Sequence, residues 1–410
     1  MADNRKIAFI ICVNNEAYFE ECRYFIERLH VPDGYETDVL AIRDADSMCA
    51  AYNLGMQSSD AKYKIYMHQD VFIRNEDFLV ETISRFTEKP QTGMIGMMGG
   101  NKMPRTGVTY LAWDIGLVDC RDADMSYLLS GRPEITRDTV VEAVDGLLIA
   151  TQYDLPWRED LFHDFDFYDV SQSFEMRRQG YDIVVPFQRE PWVIHDSSFA
   201  KLSNYDYNRK LCLEEYPEYL YADDGFVFEY HKEWEELGRA LAEQLKQLIT
   251  EGKWEAVCQV IAEYRSGKMK DSTLEMIGIM SDIWQADGKA QNEKGLFEGI
   301  TEYEQVYERY TEVRFLLRRM ELGMPDTAYR KLSEMIEKGA LSYDVLMIFL
   351  IHMVLDKRSV LLKVKDIYQR VGKYRQAEAL DQLLQKLGTT ELPVTYTKRV
   401  STMQRSGENV

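Results

Sequence analysis

Over roughly the first 200 residues, short apolar runs alternate with segments in which apolar residues recur at helical spacing. The apolar runs predict strands at Ile7–Val13, Asp38–Ile42, Tyr63–Met67, Met94–Met98, Val144–Ala150 and Ile183–Pro186. The periodic segments predict helices at Glu16–Leu29, Ser47–Ser58 and Glu76–Thr87. Such alternation is typical of βαβ units. We therefore expect an α/β domain with a mixed, mostly parallel sheet that is covered by helices and binds ligands at the carboxyl ends of its strands.

Beyond about residue 223 the strand pattern nearly vanishes, and helical patterns dominate at Glu229–Ile249, Trp254–Tyr264, Ser272–Ala286 and most of Glu302–Leu387. Two stretches, beginning at Gly252 and Gly372, share a Gly-Lys-aromatic opening that is also found in tetratricopeptide-like helix pairs. A helical solenoid and a plain helical bundle both remain open. The chain is thus predicted to contain an α/β domain (1–222), an all-helical domain (223–390) and a flexible tail (391–410).

Charge and cysteine usage narrow the classes of function. The formal net charge of −20 argues against binding to nucleic acid, because such binding draws on an excess of Lys and Arg. A phosphate-bearing substrate would then need a cation or a local basic cluster. The six cysteines are scattered without a CxxC pair, and Ile7–Val13 is too short for a signal-peptide core or a membrane span. These features predict a cytoplasmic protein.

One strand carries the clearest candidate chemistry. The run Lys64–Ile73 reads Lys-Ile-Tyr-Met-His-Gln-Asp-Val-Phe-Ile, so an apolar strand ends in His68-Gln69-Asp70. A carboxylate at a strand end stands where a ligand crevice opens, and a divalent cation on a diphosphate requires oxygen ligands. Taken alone, such an Asp is more often a turn or cap residue.

Further segments share their order and spacing with one known family. The first strand ends in Val13-Asn14-Asn15-Glu16, the second ends at Asp44, and Met48–Gly55 forms the helix before the His68-Gln69-Asp70 strand. Later, Asp169-Val170 and Gly180-Tyr181 frame a helix. Together these segments resemble the family 2 glycosyltransferases, which have the Rossmann-related GT-A fold and transfer sugars from nucleotide-diphosphate donors.

The resemblance implies a donor site for a nucleotide-diphosphate sugar, with a UDP-sugar favoured and Mn²⁺ or Mg²⁺ as cofactor. Asp70 matches the last Asp of the family's Asp-x-Asp motif, His68 stands in place of the first, and His195 lies where a late His or Asp often completes the metal sphere. A neutral imidazole suits Mn²⁺ in such a mixed site. The implied donor-binding residues are Val13, Asn15, Asp44, Asn53, Asp70 and Asp145. A core or surface role for His195 and a turn role for Asp145 are the alternatives.

In the same resemblance, Asp169 matches the general base that deprotonates the acceptor hydroxyl in inverting members. That chemistry needs a carboxylate within hydrogen-bond reach of the attacking oxygen, and a helix N-terminus tolerates its charge. Tyr168 replaces the family's Glu. The alternative is that Asp169 only caps the helix Val170–Gln179, within a solvated acidic loop that includes His163, Asp164 and Asp166.

The sequence therefore predicts a bacterial-type enzyme of the hexosyltransferase kind that transfers a sugar, with inversion, to a hydroxyl of a carbohydrate, glycan or glycoprotein. The helical domain is expected to hold the acceptor, a protein partner or a second copy of the chain. P-loop, GxGxxG, HExxH and GxSxG motifs are absent, which argues against several other enzyme classes. The departures at Asn14, His68 and Tyr168 leave one alternative, a scaffold protein that has lost turnover.

Overall fold

A computed structural model describes residues 3–109, 112–122, 126–130, 136–198, 204–223, 232–269, 271–289, 295–324, 327–353 and 357–388. The tail assigned to 391–410 lies outside these ranges. Within them, no helix combines the length and the apolar character needed to cross a bilayer. The cytoplasmic location stays a prediction.

In the described chain up to residue 223, strands and helices form an α/β domain. The strands are β1 (Asp3–Val13), β2 (Glu36–Arg43), β3 (Ala61–His68), β4 (Val71–Ile73), β5 (Thr92–Gly96), β6 (Met98–Gly100), β7 (Ile115–Asp122), β8 (Ser126–Ser130), β9 (Thr139–Val141), β10 (Ala143–Val144), β11 (Leu148–Thr151), β12 (Asp182–Val185) and β13 (Val193–Ser198). The helices are α1 (Glu16–Ile26), α2 (Met48–Gln57), α3 (Phe78–Glu88), α4 (Tyr168–Arg178) and α5 (Tyr205–Glu215).

The central sheet has seven strands in the order β2-β1-β3-β11-β5-β12-β9. Strands β2, β1, β3, β5 and β12 run in one direction, while β11 and β9 run against them. This arrangement confirms the predicted mixed, mostly parallel α/β sheet. Residue Cys12 of β1 pairs with His68 of β3, and Val13 pairs with Arg43 of β2, so the carboxyl ends of three strands meet at one edge.

A second sheet, which the sequence analysis did not predict, has the order β10-β6-β7-β13-β4, with β8 paired to β7. The chain passes from the central sheet to this one at Gln69-Asp70 and at Met97, and returns at 145–147. The predictions of single strands at Met94–Met98 and Val144–Ala150 were therefore wrong. Each run is split because its two ends pair in different sheets.

The central strand β1 shows why this domain folds as it does. Residues Ile7 to Ile11 are all fully buried, as expected for a strand covered on both faces. Helix α2 lies close against it: a Cβ added at Gly55 would stand 2.3 Å from the Ile10 side chain. A larger residue there would push the helix off the sheet.

Beyond residue 231 the described chain is helical, as predicted. The helices are α6 (Lys232–Thr250), α7 (Trp254–Ser266), α8 (Ser272–Lys289), α9 (Tyr303–Glu321), α10 (Thr327–Glu337), α11 (Tyr343–Met353), α12 (Lys357–Arg370) and α13 (Tyr374–Gly388). They enclose a second apolar core of their own. The shared openings at Gly252 and Gly372 are turns that end α6 and α12: both glycines have positive φ, and the next residue's N–H reaches back to the helix.

Helix α9 also packs on the α/β domain. Phe315 joins that domain's apolar core and meets Tyr18 edge to face, with ring centroids 4.8 Å apart. Beside it, Arg318 is buried and bonds two buried carboxylates, Glu21 of α1 and Asp196 of β13. The helical region thus contacts the α/β domain through ion pairs as well as apolar side chains. The exact boundary between the two domains stays a prediction.

Candidate active site

Three side chains meet where β3 leaves the central sheet. His68 ends β3, Asp70 follows in the turn, and His195 lies on β13, opposite Val71 of β4. The Oδ1 atom of Asp70 lies 3.8 Å from His68 Nδ1 and 3.7 Å from His195 Nε2. Potential ligand atoms of the three residues lie within 4.8 Å of one another. The structure therefore brings together the three candidate metal ligands that the sequence analysis named.

The donor set fits a divalent cation. Asp70 Oδ1 is buried and has no hydrogen-bond partner among the described residues, a state that costs on the order of 1–3 kcal/mol unless something else satisfies it. It faces two imidazoles, and burial lowers the pKa of His68, which favours the neutral form that binds metals. One carboxylate and two imidazoles suit Mn²⁺ better than Mg²⁺, which prefers an all-oxygen shell.

The turn that carries Asp70 is anchored by its middle residue. The Gln69 side-chain oxygen accepts the backbone N–H groups of Asn14 and Asn15, each at 2.9 Å, and its amide donates to the Asn14 side chain. Asn15 in turn caps α1, accepting the N–H groups of Ala17 and Tyr18. The end of β1 and the candidate metal site therefore form one unit. Sequence reasoning did not assign a role to Gln69, although its place inside the motif was a signal.

The loop at 145–147 lies against the same turn, because His68 N–H donates to the Leu147 carbonyl at 3.1 Å. In this loop, Asp145 Oδ1 accepts the Leu147 N–H at 3.0 Å, which is the turn role considered above. Gly146 N–H donates to Asp169 Oδ2 at 2.8 Å. Asp145 and Asp169 thus share one corner of the site.

Asp169 lies in the first turn of α4. The alternative that it is the N-cap is wrong: the cap position is Phe167, which has positive φ and no side-chain cap bond. The other carboxylate oxygen of Asp169, Oδ1, accepts the backbone N–H of the next residue, Val170, at 2.8 Å. Each oxygen keeps a further lone pair, and the residue is partly exposed, so the carboxylate is free to accept a proton from a ligand.

Burial raises the pKa of Asp169 to about 7, and the charge of Asp145 acts in the same direction. The two backbone N–H bonds oppose the shift because they stabilise the charged form. A carboxylate whose pKa lies near the operating pH is well suited to general-base work.

Tyr168 connects the metal candidates to this carboxylate. Its hydroxyl is hydrogen bonded to His68 Nε2, and Asp169 is the next residue. The phenol packs on Gly146, where an added Cβ would stand 2.1 Å from the hydroxyl oxygen. Any larger residue at position 146 would therefore have to displace the Tyr168 phenol.

The remaining donor-site candidates occupy different places. Val13 is buried at the end of β1, and Asp44 is exposed just after β2, at the same edge of the sheet. Asn53 instead bonds the loop beside α2: its amide donates to the Trp157 carbonyl and the Glu159 carboxylate, both at 2.9 Å, and accepts the Trp157 N–H at 2.8 Å. Its amide is therefore used to hold the Trp157 loop.

The acidic loop before α4 is held in place rather than merely solvated. Asp164 accepts hydrogen bonds from Asn204 and Asn208, and its carbonyl accepts the N–H of Met48 at the start of α2. Burial raises the pKa of Asp166 to about 6, with the charge of Asp164 adding to the effect. These contacts fix the start of α4 and hence Asp169.

The model of a glycosyltransferase-like family matches residues 8–216, just over half of the 410 residues. The chain belongs to this glycosyltransferase-like family, which confirms the resemblance drawn from the sequence at the level of family.

Comparison with solved structures found a distant similarity, and comparison with curated proteins found none. Among 146 similar chains in solved structures is a crystal structure of GalNAc-T7 with UDP, GalNAc and Mn²⁺, which has 12% sequence identity and a TM-score of 0.37. That match covers 58% of this chain and 54% of the other, so this chain spans about half the length of the protein it matches. No curated protein matches the sequence.

Proposed function

We propose that this protein is a metal-dependent glycosyltransferase that transfers a sugar from a nucleotide-diphosphate sugar to a hydroxyl of a carbohydrate, glycan or glycoprotein acceptor, with inversion. The observation that carries the proposal is the buried Asp70 Oδ1, which no other group in the described part of the chain hydrogen bonds and which faces two imidazoles beside the Asp169 carboxylate of raised pKa. Membership of the glycosyltransferase-like family supports it.

In this proposal His68, Asp70 and His195 hold Mn²⁺ or Mg²⁺, with Mn²⁺ favoured by the two imidazoles. When bound, such a cation stabilises the negative charge that develops on the departing diphosphate. This protein's net charge of −20 makes that contribution important, since a diphosphate is otherwise repelled. Val13, Asn15 and Asp44 line the donor side, because they lie at the carboxyl ends of β1 and β2.

Asp169 acts as the general base. It accepts the proton of the acceptor hydroxyl while the oxygen attacks the anomeric carbon from the face opposite the diphosphate, and this direction of attack inverts the configuration. The charge of Asp145 adds to the effect of burial in raising the pKa of Asp169. In this proposal Asp145 also accepts a hydroxyl of the transferred sugar. A protein partner or a second copy on the helical region remains a separate prediction.

A thermal-shift titration tests the donor site. UDP, GDP and their sugars are added with and without Mn²⁺ to wild type, Asp70→Ala and Asp33→Ala, an exposed loop variant that serves as the matched control. We expect a Mn²⁺-dependent rise in melting temperature with one nucleotide, lost only in Asp70→Ala. No shift with any nucleotide would refute the donor site.

Turnover is tested separately with the nucleotide sugar that binds. Wild type should release the nucleoside diphosphate, and Asp169→Asn should lower that rate about 10²- to 10⁴-fold while still binding the donor. Donor binding without any turnover in wild type would favour the scaffold alternative over the enzyme.

A further inference from the structure

Two of the three departures from the family pattern contact each other. His68 stands where the family has an Asp and Tyr168 where it has a Glu, and the Tyr168 hydroxyl is hydrogen bonded to His68 Nε2 across 100 positions of sequence. Two replacements that are far apart in the chain thus form one pair within the site.

The pair is held rigidly from both sides. The Tyr168 side chain is buried and packs on Gly146, and its ring lies 5.8 Å from Tyr52 and 6.2 Å from Trp157. The backbone of His68 is held in β3 and by a hydrogen bond from its backbone N–H to the Leu147 carbonyl. The hydroxyl therefore has a fixed position against one ring nitrogen.

This contact leaves Nδ1 as the ligating atom of His68. Nδ1 lies 3.8 Å from Asp70 Oδ1, which is too far for a hydrogen bond but places both atoms toward a common centre with His195. A ligating nitrogen must present its lone pair, so the ring proton must lie on Nε2 and be donated to the Tyr168 oxygen.

We propose that Tyr168 is a positioning residue that fixes the tautomer and the ring orientation of His68 as a metal ligand. The inference rests on the proposed metal site. Partners of this kind, bonded to the second nitrogen of a ligating histidine, typically contribute about 10- to 100-fold to metal affinity. Because Asp169 follows Tyr168 directly, the same pair also ties the metal site to the base.

The test is a titration of the full-length protein with Mn²⁺ alone, in which free Mn²⁺ is followed by electron paramagnetic resonance. The variant is Tyr168→Phe, and the matched control is Tyr52→Phe, which removes from the same aromatic cluster a buried hydroxyl that bonds no group within the described ranges. We expect Tyr168→Phe to raise the Kd for Mn²⁺ about 10- to 100-fold and Tyr52→Phe to leave it unchanged.

A second readout is independent of metal. Side-chain ¹⁵N spectra of the metal-free protein, with the His68 signals identified by their loss in His68→Gln, should show the Nε2–H tautomer in wild type. An Nδ1–H tautomer, or wild-type Mn²⁺ affinity in Tyr168→Phe, would overturn the inference and leave the proposed function standing. If wild type itself binds no Mn²⁺, both this inference and the proposed metal dependence fail.

Discussion

Replacing Arg318 tests how firmly the helical region is attached to the α/β domain. Its guanidinium is buried, bonds Glu21 and Asp196, and lies over the rings of Tyr18, Phe72 and Phe315 at 4.4–5.2 Å. In Arg318→Met both carboxylates lose this partner but keep another: Arg319 stays on Glu21 at 2.6 Å, and Arg314 stays on Asp196.

Removing one partner of a buried ion pair costs about 3–5 kcal/mol, because a buried charge is left uncompensated. The remaining arginines compensate part of it, and Met keeps the apolar contact with the rings, so we expect about 3 kcal/mol. The control is Arg309→Met on the same helix. That arginine is 40% exposed and lies 3.6 Å from Glu312, and such surface pairs contribute at most about 1 kcal/mol.

The assay is urea unfolding followed by circular dichroism and tryptophan fluorescence. A chain with two cores can unfold in two steps, so each transition midpoint is compared separately. We expect Arg318→Met to lower the midpoint of the α/β transition clearly and Arg309→Met to leave it unchanged. Equal midpoints for the two variants would refute the idea that this buried network stabilises the attachment.

Two further predictions concern the corner where Asp145 and Asp169 meet. Asp145→Asn removes a charge that raises the pKa of Asp169. Because the base must be deprotonated to act, the acidic limb of the plot of kcat/KM against pH should move to lower pH. An unmoved limb would contradict the assignment of Asp169 as the base. Gly146→Ala places a methyl group 2.1 Å from the Tyr168 hydroxyl oxygen. We therefore expect the free energy of unfolding in urea to fall by about 1–3 kcal/mol and Mn²⁺ binding to weaken. Wild-type values for both quantities would show that Tyr168 moves away without consequence.

The edge of the sheet could be predicted from the sequence because it depends on local patterns. Apolar runs that end in polar residues mark strand ends, and parallel strands present those ends on one side. The resemblance to the family then named Val13, Asp44 and His68 as site residues at these ends. The second sheet could not be predicted in this way. Strand β7 ends in Asp-Cys-Arg-Asp, a polar pattern, and β4 has only three residues.

Contacts between segments that are distant in the chain were the other feature that the sequence did not predict. His195 reaches Asp70 because β13 pairs with β4, and only the resemblance to a family suggested it. Neither the bond between His68 and Tyr168 nor that between Arg318 and Asp196 leaves a periodic signal, since each joins residues 100 or more positions apart. Asn53 shows the reverse case: it was named as a donor-site residue, and the structure shows its amide bonded to the Trp157 loop.

The departures from the family motif bear on whether the site is active. An Asp and a Glu at positions 68 and 168 would add two negative charges to a corner that already contains Asp70, Asp145 and Asp169. The His68–Tyr168 pair is neutral and mutually hydrogen bonded, so it removes that repulsion while still offering a ligand nitrogen. A site that had merely decayed would not be expected to replace two distant acidic residues with complementary partners. Nor would Asp70 Oδ1 be expected to stay buried, without a hydrogen bond from any described residue, at its cost in stability. The departures at His68 and Tyr168 therefore support the proposed metal site with nitrogen ligands over the scaffold alternative.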